Sequence, residues 1–589
     1  MVTGKTISHI RIVSYFLILF FTVAFLYFFL FGRHVLFFQK EHFLFLFSYD
    51  YLKDFLTKPG GLLEYAGKFI TQFYSIPAIG SIILAGILTY AGFIMSKILK
   101  ILNPVSPFSL PLLLVPPAFM ILMQMHYYYM MEYNLGFICI IAYFLLSMKL
   151  KGSFLPAILF PLLYYLAGAF SFIFLFMLTV YSIVHYRGPK RFYFPLISII
   201  IAVATFFVFS KILFLVPDSH LLSFPLPIIN DRFNKIILPV FTIFLIFLPV
   251  LSLLRLPRRV KNPDPGLPGI VIGALVICFT GSFMVKMHNP QVSRVLNIEK
   301  AAYQGNWSEV IRIHEKYPSE NLIGQYFYNV ALSQGDLLCD KLFSGRQDFG
   351  TKSLILPWGD EHLEWGSYFF YTTGLINEAH RWAYEEMVVY GMRPHNIKML
   401  IETNLLNGNF RMAKKYGDIL KKTIFYRDLA MEYEKLADNT KGIFTHPELG
   451  RIATLMPKKD FFIFTESPES NLPQLLEANP QNRRAFEYMM SWLLLTKNVE
   501  SVVNNIINMS SMGYTRLPRH LEEAVMIFYN NRKVYPELGG LSISALTRER
   551  FNKYYSAYVE ARNDPATMKE KMRERFGDTF WYYFHFHQD

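Results

Sequence analysis

Between residues 12 and 287 the chain carries a succession of apolar runs, separated by short segments in which the charged residues collect. Wound as an α-helix, a run of roughly 20 residues matches the ~30 Å hydrocarbon core of a bilayer, because a helix rises only about 1.5 Å per residue. Backbone in lipid must satisfy its own hydrogen bonds, which leaves helices or closed barrels; continuous rather than alternating apolar runs select helices. The runs fall near 12–32, 76–96, 107–125, 134–148, 154–168, 170–185, 193–215, 237–254 and 268–287. They predict about nine spans, with the long run 154–185 divided at "LAGA", Leu166 to Ala169. At 53% hydrophobic and 17% aromatic, the composition is that of a protein whose surface is partly solvated by lipid.

Charge separates the two halves. Residues 1–290 hold 22 Lys/Arg against 8 Asp/Glu, whereas residues 291–589 hold 36 of each, so the whole formal charge of +14 lies in the first half. Basic residues confined to loops between apolar segments set membrane orientation, and a nucleic-acid binder would instead show a basic face on its soluble part. Nucleic acid is excluded as a partner on this ground. An N-terminus in the cytoplasm places Lys5 and Arg11, Lys97 and Lys100, Lys149 and Lys151, Arg187, Lys190 and Arg191, and Arg255, Arg258, Arg259 and Lys261 on that side. The alternate short loops near 126–133 and 166–170 contain no Lys or Arg. An odd number of spans then puts the C-terminal half outside the cytoplasm. The first span offers no small-residue cleavage site and is read as a membrane helix. Three cysteines, Cys139, Cys278 and Cys339, leave no disulfide framework or paired-cysteine metal site in the second half.

From about 291 the sequence becomes mixed in charge and helix-friendly. Gly305, Gly374 and Gly408 recur 69 and then 34 residues apart, each followed two positions later by Trp307, Ile376 or Phe410 and further on by Val310, Ala379 or Ala413. The pattern resembles the tetratricopeptide helix-turn-helix, in which glycine permits the tight turn and the apolar positions bury each helix on its neighbours. A degenerate further unit is read at Asn479 to Ile506. The expected fold is all-α: a polytopic bundle over 1–290, then an extracytoplasmic α-solenoid over 291–589 whose concave face takes a protein or glycan partner. Asp360, Glu361, His362 and Glu364 crowd one stretch, but a lone histidine among acids lacks zinc partners and receives no ligand role.

The connection 33–75 is far longer than a link between spans requires. In it "HFLFLFSYDYLKDFL" sets Phe43, Phe47, Tyr51 and Phe55 at spacing four, predicting an interfacial helix with Asp50 and Asp54 on one face. After the "PGG" break at 59–61, a second amphipathic helix carries Glu64 towards the second span. The second outer loop, "QMHYYYMMEYN", adds His126 and Glu132, the only acid between residues 65 and 217.

A first span, a large outer loop with a carboxylate on interfacial helices, and then closely spaced spans resemble the layout of the GT-C polytopic glycosyltransferases. The resemblance covers residues 1–290 in layout and rests on one or two acids. It implies an acid in the first outer loop, here Asp50 with Asp54 as substitute, acting as base or orienting the acceptor, and a sugar drawn from a polyprenyl-phosphate donor in the lipid bilayer. Glu132 and His126 match the place of a second acid or metal-binding group; the paired Asp-Glu or Asp-x-Asp arrangement of that family is missing from both loops, so metal dependence and catalysis are left open and no cofactor is assigned. The chain also resembles uncharacterised multi-pass membrane proteins of Bacteroidota. The alternative is a non-enzymatic membrane-anchored scaffold whose helical repeats recruit envelope-assembly partners. Transport is disfavoured because the spans lack internal charges, Lys211 being near enough to a span end to snorkel.

Overall fold

The computed structural model describes residues 2–102, 108–150, 153–253, 266–359, 362–562 and 565–587. Lys151, Arg255, Arg258, Arg259, Lys261, Asp360 and Glu361 lie outside them. The described residues are helical, with no strand among them, and form two units, Met1–His288 and Asn289–Asp589.

In the first unit, α1 (Val2–Leu30) leads into three short helices, α2 (Arg33–Glu41), α3 (Tyr49–Leu56) and α4 (Gly61–Thr71). There follow α5 (Pro77–Leu102), α6 (Ser109–Gln124), α7 (Met131–Lys149), α8 (Leu155–Ile158), α9 (Phe160–Ala167), α10 (Phe170–His185), α11 (Lys190–Val208), α12 (Asp218–Ser223), α13 (Asn234–Phe247) and α14 (Gly266–Met287). Among the described residues six helical segments are long and apolar enough to cross a membrane: Ile10–Leu30, Pro77–Leu102, Met131–Lys149, Lys190–Leu213, Asn234–Leu253 and Gly266–Met287. Ser109–Gln124 and Phe170–His185 are apolar but shorter.

The expected span at 154–168 is not one helix. Pro156 and Pro161 sit in the first turns of α8 and α9, where a missing N–H is tolerated, and the chain breaks between them at Leu159. At about 1.5 Å per residue neither piece crosses a bilayer core. Among the described residues six of the nine predicted places thus hold a helix of full spanning length, and the other three hold shorter apolar pieces: α6, α8 with α9, and α10.

One continuous apolar core joins α1, α5, α6, α7 and α10 through side chains such as Phe28, Leu88, Met120, Phe137 and Phe174. Close approach is local and specific: a Cβ on Gly136 of α7 would stand 2.3 Å from the ring of Phe170 on α10.

In the second unit, Gly305, Gly374 and Gly408 all have positive φ and lie between paired helices: Pro290–Tyr303 with Trp307–Lys316, Leu363–Thr373 with Ile376–Tyr390, and Pro394–Leu406 with Phe410–Lys421. A linear solenoid would let each hairpin touch only its neighbours. Here the Leu338–Lys341 turn packs on Arg483–Leu495 and on Arg519–Arg532, far along the chain. Leu338 N–H donates to Glu487 Oε2 at 3.2 Å and Phe343 N–H donates to His520 Nε2 at 3.2 Å, so polar contacts between buried groups fasten the return. The later helices thus close back on the earlier ones.

Candidate functional site

The 33–75 segment holds three α-helices and a closing 3-10 turn, Gln72–Ser75, and the predicted aromatic stripe does not lie on one helix. Ser48 caps α3, its hydroxyl accepting from Tyr51 N–H at 3.3 Å, so the helix starts at Tyr49 and residues 43–47 run outside it. Phe45 turns inward from that run and meets Tyr51, Tyr65 and Phe69 with ring centroids 5.0 to 5.6 Å apart. Apolar packing between α3 and α4, rather than one long helix, holds the segment together.

The "PGG" break is a junction of three loops. Gly60 adopts φ +79°, its N–H donates to Tyr165 O at 2.8 Å, and a Cβ there would stand 2.7 Å from Pro225 Cδ and 3.2 Å from Gly168 Cα. Ala169 N–H donates to Phe224 O at 2.9 Å, and Tyr164 Oη donates to Leu221 O at the same distance. These bonds fix the start of α4 and, with it, the side chains α4 carries.

On α4, Glu64 takes Lys58 at 2.7 Å across the turn and Lys68 at 2.8 Å one helical turn later. Burial alone would raise its carboxyl; the two ammonium groups overcome that and hold it below the ordinary carboxylate range. Lys58 Nζ also lies 4.2 Å from the centre of the Phe224 ring, and Lys68 Nζ lies 5.1 Å from both Phe43 and Phe55. One residue before Lys68, Gly67 lies bare against Glu132 at the start of α7: a Cβ would meet Glu132 Oε2 at 2.8 Å. Glu132 is 8% exposed, its Oε2 has no hydrogen-bond partner among the described residues, and the charges of Glu64, Lys58 and Lys68 all reach it. Beside it runs a buried polar chain in which Asn134 donates to Gln124, Gln124 to Gln39, and Gln39 to the Tyr129 carbonyl at 2.8 Å.

The residues singled out in the sequence separate. Glu132 is buried against α4. Asp50 and Asp54 share an exposed face of α3, with no ion pair to either among the described residues. Tyr51, between them in sequence, feels both Asp54 and Glu64. His126 accepts from Tyr128 N–H at 3.3 Å within its own turn and stacks on Tyr127; burial lowers its pKa, with Asp231 opposing. α4 adds Glu64, Gly67 and Lys68, and the turn before it adds Lys58. The Glu64 to Lys68 spacing of four is readable in sequence, but the reach of Lys58 back across a glycine turn is not.

Glu132, buried with an oxygen that has no partner among the described residues, is suited to accepting a proton, and Lys58 and Lys68, held by Glu64, are suited to neutralising an anion that arrives or departs. No group of three His, Cys, Asp or Glu residues among the described residues is placed to hold a metal ion. No curated protein and no solved structure matches the chain. Residues 8–587 match the sequence model of a family of unknown function, DUF6057, and the chain belongs to that family.

Proposed function

We propose that the first unit is a glycosyltransferase that takes a sugar from a polyprenyl-phosphate donor at the outer face of a bacterial cytoplasmic membrane, with the N-terminus inside and the second unit outside. The observation that carries this reading is the meeting of Glu132 with the Glu64, Lys58 and Lys68 cluster, where Glu132 keeps a buried oxygen without a partner. In the proposed step an acceptor hydroxyl attacks the anomeric carbon, the bond from that carbon to the phosphate oxygen breaks, and Glu132 takes the hydroxyl proton. Lys58 and Lys68 neutralise the polyprenyl phosphate that leaves, and Glu64 holds the two ammonium groups in place until then. Asp50 and Asp54, exposed on α3, orient the approaching acceptor. The distribution of basic residues supports the sidedness.

Transfer of labelled sugar from a polyprenyl-phosphate donor by protein in lipid nanodiscs tests the reading. Glu132→Gln is expected to lower transfer at least a hundredfold with unchanged folding, and undiminished transfer refutes the role of Glu132. The scaffold alternative draws on the paired helices of the second unit. It requires that Glu132→Gln leave cellular function intact and that deletion of 291–589 abolish it.

A further inference from the structure

The second unit contains a cavity of about 470 Å³ between the 343–348 loop and the last two helices, Pro565–Phe576 and Phe580–Phe586. Both walls are fixed from behind. Gln347 exchanges hydrogen bonds with Asn329 and accepts from Ser353, while Gln325 and Asp348 bond reciprocally at 2.9 Å. One buried chain ties the walls to each other: His520 accepts from Phe343 N–H on the loop and contacts Glu523 at 2.9 Å, and Glu523 accepts from Phe580 N–H at 2.7 Å. A cavity of this size with walls already in place is of the kind that holds a small ligand.

Its lining combines three kinds of group. Tyr582 and Phe586 present rings stacked 5.1 Å apart. Lys569 and Arg573, one turn apart on the same helix, are exposed and have no ion pair among the described residues. The acids are mostly engaged: Asp348 by Arg346 at 2.6 Å, and Asp578 by Arg519 at 3.0 Å and Arg550 at 2.6 Å, leaving the exposed Glu574. Carboxylates held in this way still accept from hydroxyl groups, and they repel a densely charged polyphosphate. An aromatic face, neutralised acids and two unpaired cations suit a polyol ring that carries about one negative charge.

We propose that this cavity binds an acidic saccharide, with a sugar face on Tyr582 and Phe586 and the sugar's anionic group on Lys569 and Arg573. Calorimetric titration of the full chain in lipid nanodiscs with trigalacturonate, maltotriose and ADP tests it. Trigalacturonate is expected to bind saturably and at least tenfold more tightly than maltotriose. The double change Lys569→Gln and Arg573→Gln, at exposed unpaired positions, should leave the melting temperature unchanged and weaken trigalacturonate at least tenfold while sparing any maltotriose binding. Tyr582→Leu should weaken both sugars. Absence of saturable trigalacturonate binding, binding undiminished by the double change, or tighter binding of ADP than of either sugar overturns the proposal.

Discussion

Glu132 rests on Gly67: a Cβ built on that glycine would stand 2.8 Å from Glu132 Oε2 and equally close to its backbone nitrogen. The absence of a side chain at residue 67 thus brings the first buried turn of α7 against the helix that carries Lys68 and Glu64. Gly67→Ala must push α4 away from α7, at an expected cost of about 1–3 kcal/mol. The variant should remain folded with a lowered melting temperature and lose sugar transfer to nearly the extent of Glu132→Gln. Wild-type transfer by Gly67→Ala would separate the α4 cluster from the chemistry.

Gly60 is expected to be a sensitive position of the loop junction. Its φ of +79° penalises any side chain, and Pro225 and Gly168 leave no room for one. Gly60→Ala should destabilise the first unit by about 2 kcal/mol or more. With the exposed Cys278 replaced by serine, a thiol-reactive dye reads this, because Cys139 is half-buried in the first unit and Cys339 is buried in the second. Cys139 should label at lower temperature in the variant, and Cys339 should not change.

Glu487 gives the second unit a pH dependence of known sign. Burial first, and the charge of Asp336 next, push its carboxyl up to about 7. The folded state therefore holds the proton more tightly than the unfolded chain does. The stability this confers is complete below the ordinary carboxylate range and is lost as pH rises through about 7. Glu487→Gln removes the titration. Relative to wild type, the variant should gain on the order of 3 kcal/mol between pH 4 and pH 8 in denaturation monitored through Cys339. A constant difference across that range would contradict the assignment.

Glu523 links two helices of the second unit and, through His520, the 343–348 loop. It accepts from Phe580 N–H, contacts His520 and pairs with Arg519 at 3.0 Å, while its backbone carbonyl takes the Trp581 indole N–H. Because Phe343 N–H donates to His520 Nε2, the imidazole proton lies on Nδ1 and points to Glu523. Glu523→Ala keeps the carbonyl that Trp581 uses but strands Phe580 N–H, His520 and Arg519, and should cost about 3–5 kcal/mol, seen as a fall in the melting temperature of the second unit. A loss below about 1 kcal/mol would show that water replaces the carboxylate.

The sequence makes the helical, membrane-associated character legible because long apolar runs have no other solution in a bilayer. It makes the place of Glu132 visible because an acid at the edge of such a run stands alone. Where the reading departs from the structure, the causes are local. Spacing four from Phe43 to Phe55 imitates a helix, but Ser48 starts the helix at Tyr49 and Phe45 packs inward. The run 154–168 has the hydrophobicity of a span, yet Pro156 and Pro161 restart the helix twice. Glu64 stands in plain view, but its pairing with Lys58 depends on the turn at Gly60 and the approach of its helix to Glu132 depends on Gly67, and neither follows from helical spacing. The glycine period of the second unit identifies turns between paired helices, whereas the return of Glu487 and His520 onto residues 338–343 joins positions nearly 150 or more apart in the chain, which no local pattern encodes.

Native mass spectrometry of the full chain extracted in its own lipids, comparing wild type with Glu132→Gln and Lys68→Met, asks whether the Glu132 and Glu64 cluster holds a lipid-linked donor. A co-purifying polyprenyl-phosphate species is expected on wild type, retained or enriched on Glu132→Gln, where transfer stops, and depleted on Lys68→Met, where its phosphate keeps only Lys58. Bulk phospholipid alone on all three proteins would contradict it and move the search for function to the second unit.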